Sequence, residues 1–116
     1  MPLYELRWMF KDATIKAMAE KPQDREPPAR ELVESFGGKL HHYYFILGDY
    51  DGLAIVEFPD NASAAATSMR ASMSGAFARF ETHPLMTAQE AQRAMQMVKD
   101  SETAYRAPNA GQPGLP

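Results

Sequence analysis

Apolar and polar positions alternate from Leu3 to Phe10, with Tyr4, Leu6, Trp8 and Phe10 on one side and Glu5 and Arg7, between Leu3 and Met9, on the other. A period of two predicts an extended strand with its aromatic side against a core. The two charges on the second side predict a sheet covered on one face only. Beyond Lys11 the period becomes helical. Ile15, Met18 and Ala19 form a short stripe that fails at Pro22, and a second start follows at once. Asp24 and Glu26 precede Pro27 and Pro28, after which Ala29, Leu32, Val33 and Phe36 recur at i, i+3, i+4 and i+7. Gly37 and Gly38 end this run, because glycine accepts the left-handed conformation a helix C-terminus often needs. The pattern predicts one helix, kinked or interrupted near Pro22.

Gly37 to Asp60 reads as a β-hairpin at the centre of the chain. Its first strand places Tyr43, Phe45 and Leu47 on one face and His42, Tyr44 and Ile46 on the other. The turn is Gly48-Asp49-Tyr50-Asp51-Gly52, a composition suited to tight reversal. Leu53 to Phe58 is apolar apart from Glu57, as a central strand requires. Asp60 and Asn61 cap a further helix, with Ala62, Ala65, Ala66, Met69 and Met73 as its expected inward stripe, and Ser74-Gly75 stops it. Ala76 to His83 then alternates, Phe77, Arg79, Glu81 and His83 against Ala78, Phe80 and Thr82, and predicts a fourth strand. Thr87 to Glu90 has capping-box spacing and opens a last helix carrying Ala88, Ala91, Ala94, Met95 and Val98 at helical intervals.

The order β-α-β-β-α-β with an added C-terminal helix predicts an α+β, ferredoxin-like domain: a four-stranded antiparallel sheet with two helices on one face and the other face open. Ile46, Leu53 and Phe77 are expected on or near the open face, and an apolar patch there predicts a homodimer or higher oligomer. The expected domain spans residues 1–100. Residues 101–116 form a Pro- and Gly-rich tail with little to bury.

Twelve basic and fifteen acidic residues leave a net charge of -3, which provides no basic field for a phosphate backbone, so nucleic acid is not an expected partner. The chain has no cysteine, which removes disulfides, thiolate nucleophiles and Cys-ligated metals. No stretch reaches bilayer length, and MPLYELRWMF lacks the basic-then-apolar order of a leader, so the expectation is a cytoplasmic protein with no membrane partner. No Gly-rich phosphate loop, Gly-x-Ser-x-Gly elbow or HExxH pair occurs, and no cofactor is expected.

The strand phases bring candidate chemistry to the open face: Glu5 and Arg7 from the first strand, His42 and Tyr44 from the second, Arg79, Glu81 and His83 from the fourth. Converging titratable groups suit a small-molecule pocket with acid/base capability. Equally, charges on an exposed face pair with one another across strands. Asp49 and Asp51 flanking Tyr50 could hold a cation or act as an acid/base pair, but turns select Asp and Gly for backbone reasons, and that reading is preferred. Tyr50 can lock the turn or close over a ligand. His41 and His42 are adjacent, so a regular strand would send them to opposite faces. A metal held by His42, His83 and Glu5 matches no known spacing, and none is expected. The methionines Met69, Met73, Met95 and Met97 read as packing filler.

Gly48-Asp49-Tyr50-Asp51-Gly52, with Phe36-Gly37-Gly38-Lys39-Leu40 before it and Ala54-Ile55-Val56-Glu57-Phe58-Pro59-Asp60 after it, resembles the GYD-domain family of small bacterial proteins over roughly residues 1 to 100. Gly52 departs from the pattern, which leads one to expect a larger apolar residue there. The resemblance implies a ferredoxin-like fold related to the dimeric α/β-barrel proteins, and brings no catalytic residues with it. The function expected is a homo-oligomeric module that binds a small molecule or a protein, with Glu5, Arg7, Tyr50, Arg79 and Glu81 as ligand-binding residues. The alternative is a cofactor-free oxygenase or isomerase acting on a small aromatic or carbonyl compound through His42, Tyr44 and His83. A structural or regulatory subunit that accompanies an enzyme is a third reading.

Overall fold

Strand β1 (Leu3–Phe10) buries Tyr4, Leu6, Trp8 and Phe10 and leaves the residues between them half-buried, in a computed structural model that describes residues 2–109. Two helices follow, α1 (Asp12–Glu20) and α2 (Glu26–Ser35), so the chain is interrupted at Pro22 rather than kinked. α1 buries no residue; its start is tied to the neighbouring strand by Lys11 N–H and Thr14 Oγ1, which both donate to Ala76 O at 2.9 Å. α2 buries Val33 and ends where Gly37, at φ 79°, takes the left-handed conformation and Gly38 N–H closes on Val33 O at 3.0 Å.

Strands β2 (Lys39–Phe45) and β3 (Gly52–Glu57) form the hairpin, α3 (Asn61–Met73) crosses back, and β4 (Phe77–Pro84) completes an antiparallel sheet in the order β2-β3-β1-β4. This is the α+β, ferredoxin-like arrangement that the order of elements predicts. The core lies on the helix side, where Ala54, Val56, Phe58 and Leu40 join the β1 aromatics. The chain divides into two compact units, one ending at Leu85 and the other beginning at Met86. The second contains α4 (Ala88–Asp100), whose capping box is formed: Thr87 Oγ1 accepts from Glu90 N–H at 3.0 Å and Glu90 Oε1 accepts from Thr87 N–H at 3.3 Å. Residues 101–107 carry no regular structure, and the part of the expected tail from 110 to 116 lies outside the described residues.

Three local expectations are corrected. Phe77 does not join the open face: a bulge in β4 pairs Phe10 with Phe77 and Met9 with Arg79, skipping Ala78, so Phe77 turns to the helix side and stacks on Phe10 at 5.2 Å. His41 and His42 do not diverge, because a second bulge between Leu40 and His42 leaves His41 on the same face, where its Nε2 lies 2.7 Å from Glu57 Oε1. On α3 the buried residues are Ala64, Thr67 and Ala71, while Met69 and Met73 are exposed. Thr67 is tolerated inside because its hydroxyl donates to Ser63 O one turn earlier, at 3.0 Å.

Gly52 has a steric reason. A side chain there would start 2.4 Å from the Trp8 indole, which lies directly over the Gly52 backbone. Any Cβ must displace that ring, so Gly52→Ala is expected to lower stability by about 1–3 kcal/mol. The change should appear as a lower denaturant midpoint at unchanged slope; an unaltered midpoint would mean that the indole shifts aside freely.

Candidate functional site

On the sheet face opposite α2 and α3, register alone builds a charged network. Pairing places Glu5 opposite His83, Arg7 opposite Glu81 and Met9 opposite Arg79. Glu5 lies against Arg7, whose Nη2 donates to Oε2 at 3.3 Å, and its Oε1 is 3.2 Å from His83 Nδ1. His83 Nε2 is 3.1 Å from Glu81 Oε1, and Glu81 Oε2 accepts from Arg79 Nη2 at 2.8 Å and from Tyr50 Oη at 2.6 Å. Both guanidiniums also sit over the Tyr50 ring, with Cζ 5.2 Å (Arg7) and 5.3 Å (Arg79) from its centroid.

Tyr50 reaches this position because the turn is tied to β1. Asp51 N–H donates to Trp8 O at 2.8 Å, and Asp51 Oδ2 accepts from Phe10 N–H at 2.9 Å. Asp51 is thus engaged with backbone, as the turn reading expects, and Tyr50 locks the loop to β4. Its hydrogen bond holds the Glu81 carboxyl below the usual carboxylate range and, from the other end, pushes the Tyr50 hydroxyl up. Glu5, Arg7, Tyr50, Arg79 and Glu81, with His83, are therefore brought together, and they largely satisfy one another. Arg7 Nε is the exception: it lies 3.2 Å from Glu5 Oε1 but is not aimed at it, and is buried without an acceptor.

His42 and Tyr44 are not part of that network. They stack on each other at 6.0 Å on β2, opposite Ile55 and Leu53. β2 and β4 are the two edges of the sheet, with two strands between them, so His42 and His83 stand about 14 Å apart across it. A single reacting atom cannot lie within hydrogen-bond reach of His42, Tyr44 and His83 of one chain. The same spacing keeps His42 from joining His83 and Glu5 around one ion, and no group of three or more potential metal ligands forms among the described residues.

The enclosed space lies on the other side of the sheet. α2 packs on β2 and α3 on β4, the two outer strands, and the inner faces of the central strands remain between the helices as the floor of a cavity of about 440 Å³. Leu6, Trp8, Ala54, Tyr43 and Phe80 form the floor, Ala29, Leu32 and Val33 one wall, and Ala71, Met73 and Ser74 the other. Phe80 stacks on Trp8 at 6.1 Å and Tyr43 tilts against it at 5.3 Å. The polar groups are few. Trp8 Nε1–H is buried against the Gly52 backbone with no acceptor and no surface toward the space, the Tyr43 hydroxyl is pushed up to about 12 by burial, and Arg25 at the start of α2 and Arg70 on α3 line the space. No residue singled out from the sequence as catalytic or ligand-binding lines it. The readable signal was the small residues that line it, Ala54 on β3 and Ala29 and Ala71 on the helices.

The GYD domain family matches residues 4–95, from the first strand into α4. The chain belongs to the GYD domain family. Comparison with curated proteins finds no match. No helix of this GYD domain protein, among the described residues, is long and apolar enough to cross a membrane.

The pH response of the network follows from the two shifts. The lowered Glu81 stabilises the fold fully above the ordinary carboxylate range, and this is lost as pH falls through the lowered value. The raised Tyr50 hydroxyl contributes below the ordinary phenol range, and this is lost as pH rises through the raised value. Glu81→Gln is therefore expected to destabilise the protein at neutral pH, and the loss is expected to shrink as pH falls through the lowered value, where the wild-type carboxylate takes up its proton. Denaturant unfolding along a series of falling pH values checks this; a loss that stays constant down the series would assign Glu81 a packing role instead.

Proposed function

We propose that this GYD domain protein is a small-molecule binding module that takes up its ligand between α2, α3 and the sheet, and that pairs with a second copy through the opposite sheet face. One observation carries the first part: the cavity of about 440 Å³. Small-molecule sites are concave, mostly apolar and about 300–1,000 Å³ in volume, with a few polar groups to fix orientation. This one has an aromatic floor, largely aliphatic walls and four polar side chains, Tyr43, Ser74, Arg25 and Arg70.

The second part rests on the apolar frame around the charged network. Leu3, Met9, Leu53 and Ile55 are only half-buried on that face, and Tyr44 is 57% exposed. A partner sheet of the same composition covers such a patch by two-fold symmetry, as in the dimeric α/β-barrel assemblies that the resemblance implies. The cytoplasm is its proposed location. Oxygenase or isomerase chemistry by His42, Tyr44 and His83 requires two chains to contribute to one centre.

Trp8 is the single tryptophan of the chain, so its indole N–H resonance reports occupancy of the cavity directly. A panel of bicyclic aromatic compounds, neutral and charged, is expected to contain members that shift this resonance, and Ala29→Phe, which fills the space from α2, is expected to abolish the shift. A resonance that no compound moves, or that moves equally in the variant, overturns the cavity as the site. Light scattering on the purified chain tests the pairing. A dimer that Ile55→Glu converts to monomer is expected; a monomeric wild type refutes it.

A further inference from the structure

Given the cavity as the binding site, its polar groups specify what it holds. Trp8 Nε1–H lies against the Gly52 backbone with no surface open to the cavity, so it takes no part in recognition. The Tyr43 hydroxyl, pushed up to about 12, stays protonated at neutral pH; it makes no hydrogen bond among the described residues and offers a donor. Arg25 is half-buried and Arg70 exposed, so the two guanidiniums stand where the cavity meets the surface, one on each wall. Neither forms an ion pair among the described residues. Arg25 donates only to Gln23 Oε1 at 2.6 Å, and the acids beside it are engaged: Glu26 with Arg30 at 3.0 Å, Asp24 with Glu26 N–H at 3.0 Å. Two cations without ion-pair partners at the mouth of an aromatic hollow, with the Tyr43 hydroxyl inside, call for a negatively charged occupant.

We propose that the ligand is a small aromatic carboxylate. Its ring system lies against the floor where Phe80 and Trp8 are stacked within 14° of parallel, and its carboxylate takes the charge of Arg25 and Arg70 at the entrance. A phosphate is the poorer fit. The helix start that flanks the cavity is Glu26-Pro27-Pro28, and the two prolines remove backbone N–H groups through which a helix N-terminus holds phosphate. A carboxylate needs only the guanidinium fork.

Titration calorimetry of the full chain with 2-naphthoate and its neutral isostere 2-naphthamide, read together with the Trp8 indole resonance, tests both steps. Naphthoate is expected to move the resonance and to bind about tenfold more tightly than the amide, the ratio one charge-assisted hydrogen bond gives. The double variant Arg25→Ala/Arg70→Ala is expected to erase that ratio by weakening naphthoate binding to the level of the amide. Equal binding of acid and amide, or a preference that survives the double variant, overturns the carboxylate class while the cavity still binds. If neither compound moves the resonance, the cavity reading itself fails.

Discussion

The contact between the Trp8 indole and the Gly52 backbone sets the geometry of both layers. An aromatic ring normally stands up from a sheet and meets the helices above it; here it lies down on the neighbouring strand, because Gly52 has no side chain to prop it up. The flattened ring spreads sideways instead, meeting Tyr43 on the β2 side and Phe80 and Phe77 on the β4 side. An aromatic sheet of this kind spans the four strands at low height. The helices find their contacts over the outer strands, where Leu40, Val33 and the α3 residues Ala64 and Thr67 are buried, and the centre stays unfilled.

The two faces of the sheet consequently do different things with their polar groups. On the face opposite α2 and α3 each carboxylate has partners, and the pairs are partly solvated, with side-chain exposures between 19% and 57% in the network. Such pairs contribute little each; their value is to fix the turn through Tyr50 and to keep the register of β1 and β4. On the helix side the polar groups are fewer, and Arg25 and Arg70 form no ion pair among the described residues. A network that neutralises itself has little left for a ligand, whereas cations without a counter-charge beside an apolar hollow have more to offer one.

Much of this was legible from periodicity. The alternation in β1, the break at Pro22, the central β3 and the order of elements depend on local pattern, and local pattern survives folding. The two bulges were not legible, since inserting Ala78 or His41 into a strand changes no residue type and only reverses the phase downstream or upstream of it. Phe77 and His41 were misplaced for that reason alone. α3 misled differently: nearly every residue in it is small, so the methionines drew the expected stripe while the alanine and threonine side faced the sheet. The cavity was hidden because it is made of what is missing. Gly52 looked like a defect in a strand until Trp8 was seen lying on it, and the small residues of facing layers become a volume only when the helices are placed.

The size of that volume argues against a packing accident. A closed, dry void of about 440 Å³ would cost about 10 kcal/mol at the rate measured for buried cavities, as much as the whole stability of a typical domain. A chain of this length cannot carry such a void, so the hollow has to be open at one end, and its mouth is where Arg25 and Arg70 stand. Opening lowers the penalty by admitting water, but water wets an aromatic floor poorly and leaves the apolar surface beneath it unburied. A flat molecule that covers Trp8 and Phe80 recovers that burial and keeps its charge outside, which ties the position of the two arginines to the same glycine that lets the indole lie down.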